Sequence, residues 1–133
     1  MKNIFVSLAF LIASTAPAFA QNANWTQFGD TAARQWHFRN GSFEFMRSDR
    51  GQPGGALIVQ MENKNTHLVD YFKIYVTEED CARGYGTLVT LSVNNEYITE
   101  TSFVAQGVSM SASGADLLCA VYNKANSEKI NTK

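Results

Sequence analysis

Acid–base chemistry has few candidate carriers in this chain, whose 133 residues include two histidines, His37 and His67. His37 gains interest from its spacing to Glu44. Between them stands Arg39-Asn40-Gly41-Ser42, and Asn-Gly readily supplies the two positive φ values of a type I′ hairpin turn. A two-residue loop there sets Phe38 opposite Phe43, His37 opposite Glu44 and Trp36 opposite Phe45. An imidazole and a carboxylate then share one face, as an acid/base couple would. The same motif places no nucleophile beside them. Ser109, Ser111 and Ser113 cluster further on, and none stands in the Gly-x-Ser-x-Gly pattern of a nucleophile elbow. A small hydrolase using His37 and Glu44 is therefore the third of three readings, and catalysis is not expected.

Three consecutive carboxylates, Glu78-Glu79-Asp80, lack the alternating ligands and the central glycine of a calcium loop and read as a solvated acidic turn. Zinc takes three or four ligands from His, Cys and carboxylate. The two cysteines, Cys81 and Cys119, are better used on each other, as one disulfide. Neither a metal nor another cofactor is expected. Arg83-Gly84-Tyr85-Gly86 resembles the opening of the RNA-binding signature of RRM domains, but Thr87 and Thr90 stand where that signature has further base-stacking aromatics. With twelve acidic against eleven basic side chains and no basic stripe, the sequence argues against a nucleic-acid partner. What remains is Tyr85 itself, a ring between two glycines on a loop that the disulfide would fix.

Ser113-Gly114-Ala115-Asp116-Leu117 resembles, over five positions, the Ser-Gly-x-x-Tyr motif of bacterial periplasmic lysozyme inhibitors, with Leu117 in the place of tyrosine. Those are small exported β proteins with disulfides that insert the motif, on a loop, into the enzyme cleft. The resemblance implies inhibition of an envelope hydrolase such as lysozyme, the second reading of function.

The elements that must position these groups follow from periodicity. Asp70 to Thr77 and Thr87 to Val93 are rich in β-branched and aromatic residues and read as strands around a cysteine-bearing turn. In the first, Phe72, Ile74 and Val76 take one side and Tyr71, Lys73 and Tyr75 the other. Residues 21 to 33 read as a lead-in or short edge strand, Ser48 to Gly55 as a loop, and Ala56 to Glu62 as a strand. Asn94-Asn95 marks a second two-residue turn before the strand Tyr97 to Val104. Ser113 to Asp116 has the spacing of a capping box, and Leu118, Val121, Tyr122 and Ala125 then recur at helical spacing up to about Asn126, leaving Ser127 to Lys133 as a solvated tail. The expected fold is α+β: an antiparallel meander of five or six strands with one C-terminal helix packed on it, tied by the Cys81–Cys119 disulfide.

Residues 1–20 have the order of a secretory signal peptide, with Lys2, the apolar run Ile4 to Ile12, and the small-x-small site Ala18-Phe19-Ala20. Cleavage near Ala20 leaves residues 21–133 as one small exported domain, periplasmic or extracellular, with no later segment long enough to insert in a membrane. Ten basic side chains (eleven less Lys2) then face twelve acidic ones. The leading reading of function is a non-enzymatic module that binds another protein or a cell-envelope component. Tyr85, Trp36, Tyr71, Tyr75 and Trp25 are its candidate contacts, because Trp and Tyr dominate binding hot spots when exposed.

Overall fold

Seven strands and two helices account for most of residues 24–131, the part of the chain that the computed structural model describes. The leader assigned to residues 1–20 lies outside them. The strands are β1 (Trp25–Asp30), β2 (Arg34–Arg39), β3 (Glu44–Arg47), β4 (Pro53–Asn63), β5 (Val69–Thr77), β6 (Tyr85–Leu91) and β7 (Tyr97–Val104); α1 is Glu78–Arg83 and α2 is Met110–Asn131. All pairings are antiparallel, in the order β1-β2-β4-β5-β6-β7. The α+β meander with a C-terminal helix and one disulfide is thus present, with seven strands in place of five or six.

The seventh strand is β1, in the stretch that reads as a lead-in or a short edge strand; the expected pairing of β2 with β3 is corrected. β2 and β3 do not form a hairpin; both lie along β4, β2 against Val59–Asn63 and β3 against Pro53–Ala56. The reason lies in the turn. Gly41 has φ +79° while Asn40 keeps a negative φ, the signs of a type II turn and not of the type I′ turn that returns a strand on its neighbour. The Ser42 hydroxyl bridges the break, donating to the Arg39 carbonyl (2.7 Å) and accepting from the Ile58 N–H of β4 (3.0 Å). Ser42→Ala leaves that part-buried N–H without its acceptor and is expected to lower stability by about 1 to 2 kcal/mol, measured by urea unfolding against wild type.

Glycines extend β4 into what reads as a loop. A Cβ on Gly54 would lie 2.1 Å from the Val76 carbonyl, and one on Gly55 2.5 Å from the Phe43 ring. The missing side chains let β5 and Phe43 close on the strand. At the other end of the sheet the β6–β7 hairpin forms, with a wider connection than two residues: Ser92 N–H donates to the Glu96 carbonyl (2.7 Å), and Asn95 takes φ +71°.

Cys81 stands on a helix, not on an open turn. Thr77 caps α1, its hydroxyl accepting from Asp80 N–H (3.1 Å), three carboxylates fill the first turn, and Gly84 (φ +83°) closes the C-terminus. The second helix also departs from expectation. Its cap is Ser109, whose hydroxyl accepts from Ala112 N–H (3.1 Å), so the helix starts earlier than Ser113 and continues past Asn126 to Asn131. Among the described residues no helix is long and apolar enough to cross a membrane.

α2 covers one face of the sheet, where Leu57, Val59, Ile74, Val76, Leu88 and Phe103 pack on Ala115 and Leu118. Gly114 brings the helix close: a Cβ there would sit 3.3 Å from Leu88. On the opposite face Ala56, Tyr75 and Leu91 form a smaller cluster with Met46 and Val89. The Cys81–Cys119 disulfide joins the two helices across a Cα separation of 5.4 Å. Beside it the Tyr122 hydroxyl donates to Glu78 Oε1 (2.8 Å), and its ring packs edge-on against Phe43 and Phe45. Burial, followed by the carboxylate acceptor, pushes the Tyr122 phenol up to about 12. With the folded value above the unfolded one of about 10, the neutral ring's contribution is complete below pH 10 and is lost as pH rises toward 12. Tyr122→Phe is therefore expected to flatten the fall in stability over that interval relative to wild type, read from unfolding midpoints at stepped alkaline pH.

Candidate functional site

A cleft of about 580 Å³ opens on the sheet face opposite α2. It starts from a divergence between two strands. β5 and β6 pair from Lys73↔Leu91 to Tyr75↔Val89 and then part, because the chain leaves β5 at Thr77 to enter α1. Asp80 fills the gap: its Oδ2 accepts from Thr87 N–H (3.0 Å), replacing the strand carbonyl that β5 no longer offers, and its Oδ1 accepts from Arg83 Nη2. Gly86 makes room, since a Cβ there would lie 2.2 Å from the Asp80 carboxyl carbon. Both oxygens of this buried carboxylate are thus committed to holding α1 against β6.

Tyr75, Val89 and Leu91 form the floor with Met46. One wall is the β3–β4 loop, which folds over β5 and is held there by the Tyr75 hydroxyl donating to the Gln52 carbonyl (2.9 Å). Burial raises the Tyr75 phenol above its ordinary value, so this donor keeps its proton through the neutral range. The other wall depends on an irregularity in β7. Thr90 pairs with Thr99 but Leu91 with Tyr97, and the skipped residue puts Tyr97 and Glu100, three apart, on the same face. Their side chains are joined, Tyr97 hydroxyl to Glu100 Oε1, at 3.0 Å. The rim carries both signs: Arg47, Arg50 and Arg83 against Asp49, Glu79 and Glu100.

The five aromatic residues singled out from the sequence fall in four places. Tyr75 is buried in the cleft floor. Tyr85 is 55% exposed just beyond the rim, with the Arg83 guanidinium 4.7 Å over its ring. Trp25 and Tyr71 meet at 5.9 Å across β2 and β4, with Tyr71 57% exposed, and make a separate patch. Trp36 is on the α2 side of the sheet, half-buried against the main core. Of the five only Tyr75 lines the cleft, and Tyr85 stands against Arg83, which does.

His37 and Glu44 are not brought together. Their partners on β4 are Gln60 and Ala56, four positions apart, which is about 13 Å along a strand. Glu44 accepts from Lys73 Nζ (2.7 Å), His37 Nδ1 is buried with no hydrogen-bond partner among the described residues, and neither residue lines the cleft. The described residues contain no cluster of three His, Cys, Asp or Glu able to hold a metal. Ser113 and Gly114 lie inside α2, with Gly114 buried against the sheet, so they offer no loop to a partner enzyme. Sequence reading missed Asp80, Arg83, Tyr97 and Glu100. Thr77-x-x-Asp80 followed by Gly84 was a usable helix signal; the skipped residue in β7 left none. No family model matches this sequence, and no curated protein or solved structure shows significant similarity to it.

Proposed function

We propose that this chain is an exported, non-enzymatic binding module that takes an extended segment of another protein into the cleft between α1, the β3–β4 loop and β7. The observation that carries this reading is the cleft's make-up. An apolar floor with charges of both signs around it suits a segment with an apolar anchor flanked by charged residues, and the volume of about 580 Å³ lies in the range of small binding sites. The α1 side of the cleft is held in place, tied to α2 by the disulfide and to β6 by Asp80, so little ordering cost falls there on binding. Asp80, the buried carboxylate of the cleft, has both oxygens spent on Arg83 and Thr87 and so serves the frame of the site. Export is supported by the leader pattern of residues 1–20 and by the disulfide, a bond that persists in oxidising compartments.

The test is capture from a cell-envelope extract on the immobilised protein with its disulfide intact. Arg50→Ala with Tyr97→Ala alters the cleft rim, and Trp25→Ala with Tyr71→Ala alters the separate aromatic patch. A partner retained by wild type and by the Trp25/Tyr71 variant, and released by the Arg50/Tyr97 variant, is the expected outcome. Retention that depends on Trp25 and Tyr71 instead, or an extract that leaves nothing on wild type, overturns the assignment to the cleft.

A further inference from the structure

A second concavity lies on the other face of the sheet, independent of the cleft and of the function proposed for it. The geometry points to this groove, about 480 Å³ between the sheet and the N-terminal end of α2, as a binding site for a free fatty-acid carboxylate, its alkyl chain across the strands and its head on Arg34.

The helix leaves this part of the sheet incompletely covered. Val59, Ile74 and Leu88 are buried under α2, whereas Phe28, Trp36, Met61, Phe72 and Met110, which continue the same apolar surface, are only half-buried. Apolar side chains of this size in one concavity release free energy when a further apolar group displaces water from them. The concavity is elongated across the strands, with lining residues on β2, β4, β5, β6 and β7. Three strand spacings separate β2 from β6, about 14 Å, which suits a single extended chain better than a compact ring system.

The ends differ in chemistry. At the β2 end Arg34 is the only charged one among the described residues that line the groove, and its guanidinium makes no ion pair or hydrogen bond with any described residue. The far end carries the hydroxyl residues Thr90 and Thr101 and, among the described residues, no charge. An unpaired cation at one end of an apolar groove selects an amphiphile with an anionic head, and a guanidinium can hold a carboxylate with two parallel hydrogen bonds. Met110, whose flexible thioether lies over Gly29 at this helix terminus, can repack around chains of different length.

Titration of the full mature chain with laurate below its micellar concentration, alongside the uncharged dodecanol and vesicles of phosphatidylcholine with phosphatidylglycerol, tests the assignment by calorimetry. Saturable one-to-one binding of laurate, about tenfold tighter than dodecanol in wild type and no tighter than dodecanol in Arg34→Ala, is expected. The exposed Arg34 has no partner to lose, so this variant keeps the fold, which its unfolding midpoint verifies. The inference is overturned if laurate fails to saturate a site, if Arg34→Ala leaves the preference for laurate intact, or if the protein binds anionic vesicles while ignoring free laurate, which would mark a membrane-contact surface instead.

Discussion

Replacing Cys81 and Cys119 together by serine is expected to lower the free energy of unfolding by about 4 kcal/mol, the chain-entropy value for a separation of 38 residues. That is a large share of the stability of a domain this small. The bond has an effect beyond its loop entropy because of where it sits. α1 is only six residues long, too short to persist alone, and its position against β6 creates the cleft. Without the bond, α1 is left with hydrogen bonds of modest net value each: Tyr122 to Glu78, Thr87 N–H to Asp80, and Ala105 N–H to the Gly84 carbonyl at its C-cap. The measurement is the guanidinium midpoint of the double variant against wild type, with amide exchange of residues 78–87 as the local readout. Exchange there should rise before the core of β4 and β5 opens. A loss below about 1 kcal/mol with unchanged exchange would show that the helices hold each other without the sulfur bridge.

Much of this arrangement is legible in the residues, and the failures have a common cause. Period-two alternation in Phe72, Ile74 and Val76 against Tyr71, Lys73 and Tyr75 gives both faces of β5, since the side-chain period of a strand is set by its backbone. The disulfide follows from two cysteines in a chain with an export pattern. The Asn40-Gly41 hairpin does not follow, because a turn motif states what a local segment tolerates, while the sheet decides whether the arms pair with each other or with a third strand. β4 is long enough, at 11 residues, to take both arms end to end, and that length was hidden by reading Pro53, Gly54 and Gly55 as loop. The cleft escaped for a similar reason. Its walls come from a diverging strand pair and a skipped residue, both products of long-range register, and Tyr97 and Glu100 share a face only because Ile98 is left out of the ladder.

Asp80→Ala is expected to destabilise the protein by about 2 to 3 kcal/mol, below the usual loss for a fully buried pair because Arg83 is partly solvated. It removes the acceptor of Thr87 N–H and leaves the guanidinium of Arg83 with Glu79 and the Tyr85 carbonyl. Gly86→Ala should cost about as much by the opposite route, since its methyl would occupy the space of the carboxylate and its φ of +154° disfavours a side chain. If the glycine is there to admit the carboxylate, the two losses cannot add. Once Asp80 is alanine the new methyl meets nothing of that carboxylate, so the double variant should fall short of the sum of the single losses by about 1 kcal/mol or more. Urea unfolding of the four proteins gives the coupling directly. Additivity within about 0.5 kcal/mol would mean that Gly86 serves the backbone turn alone and that the carboxylate finds its place without it.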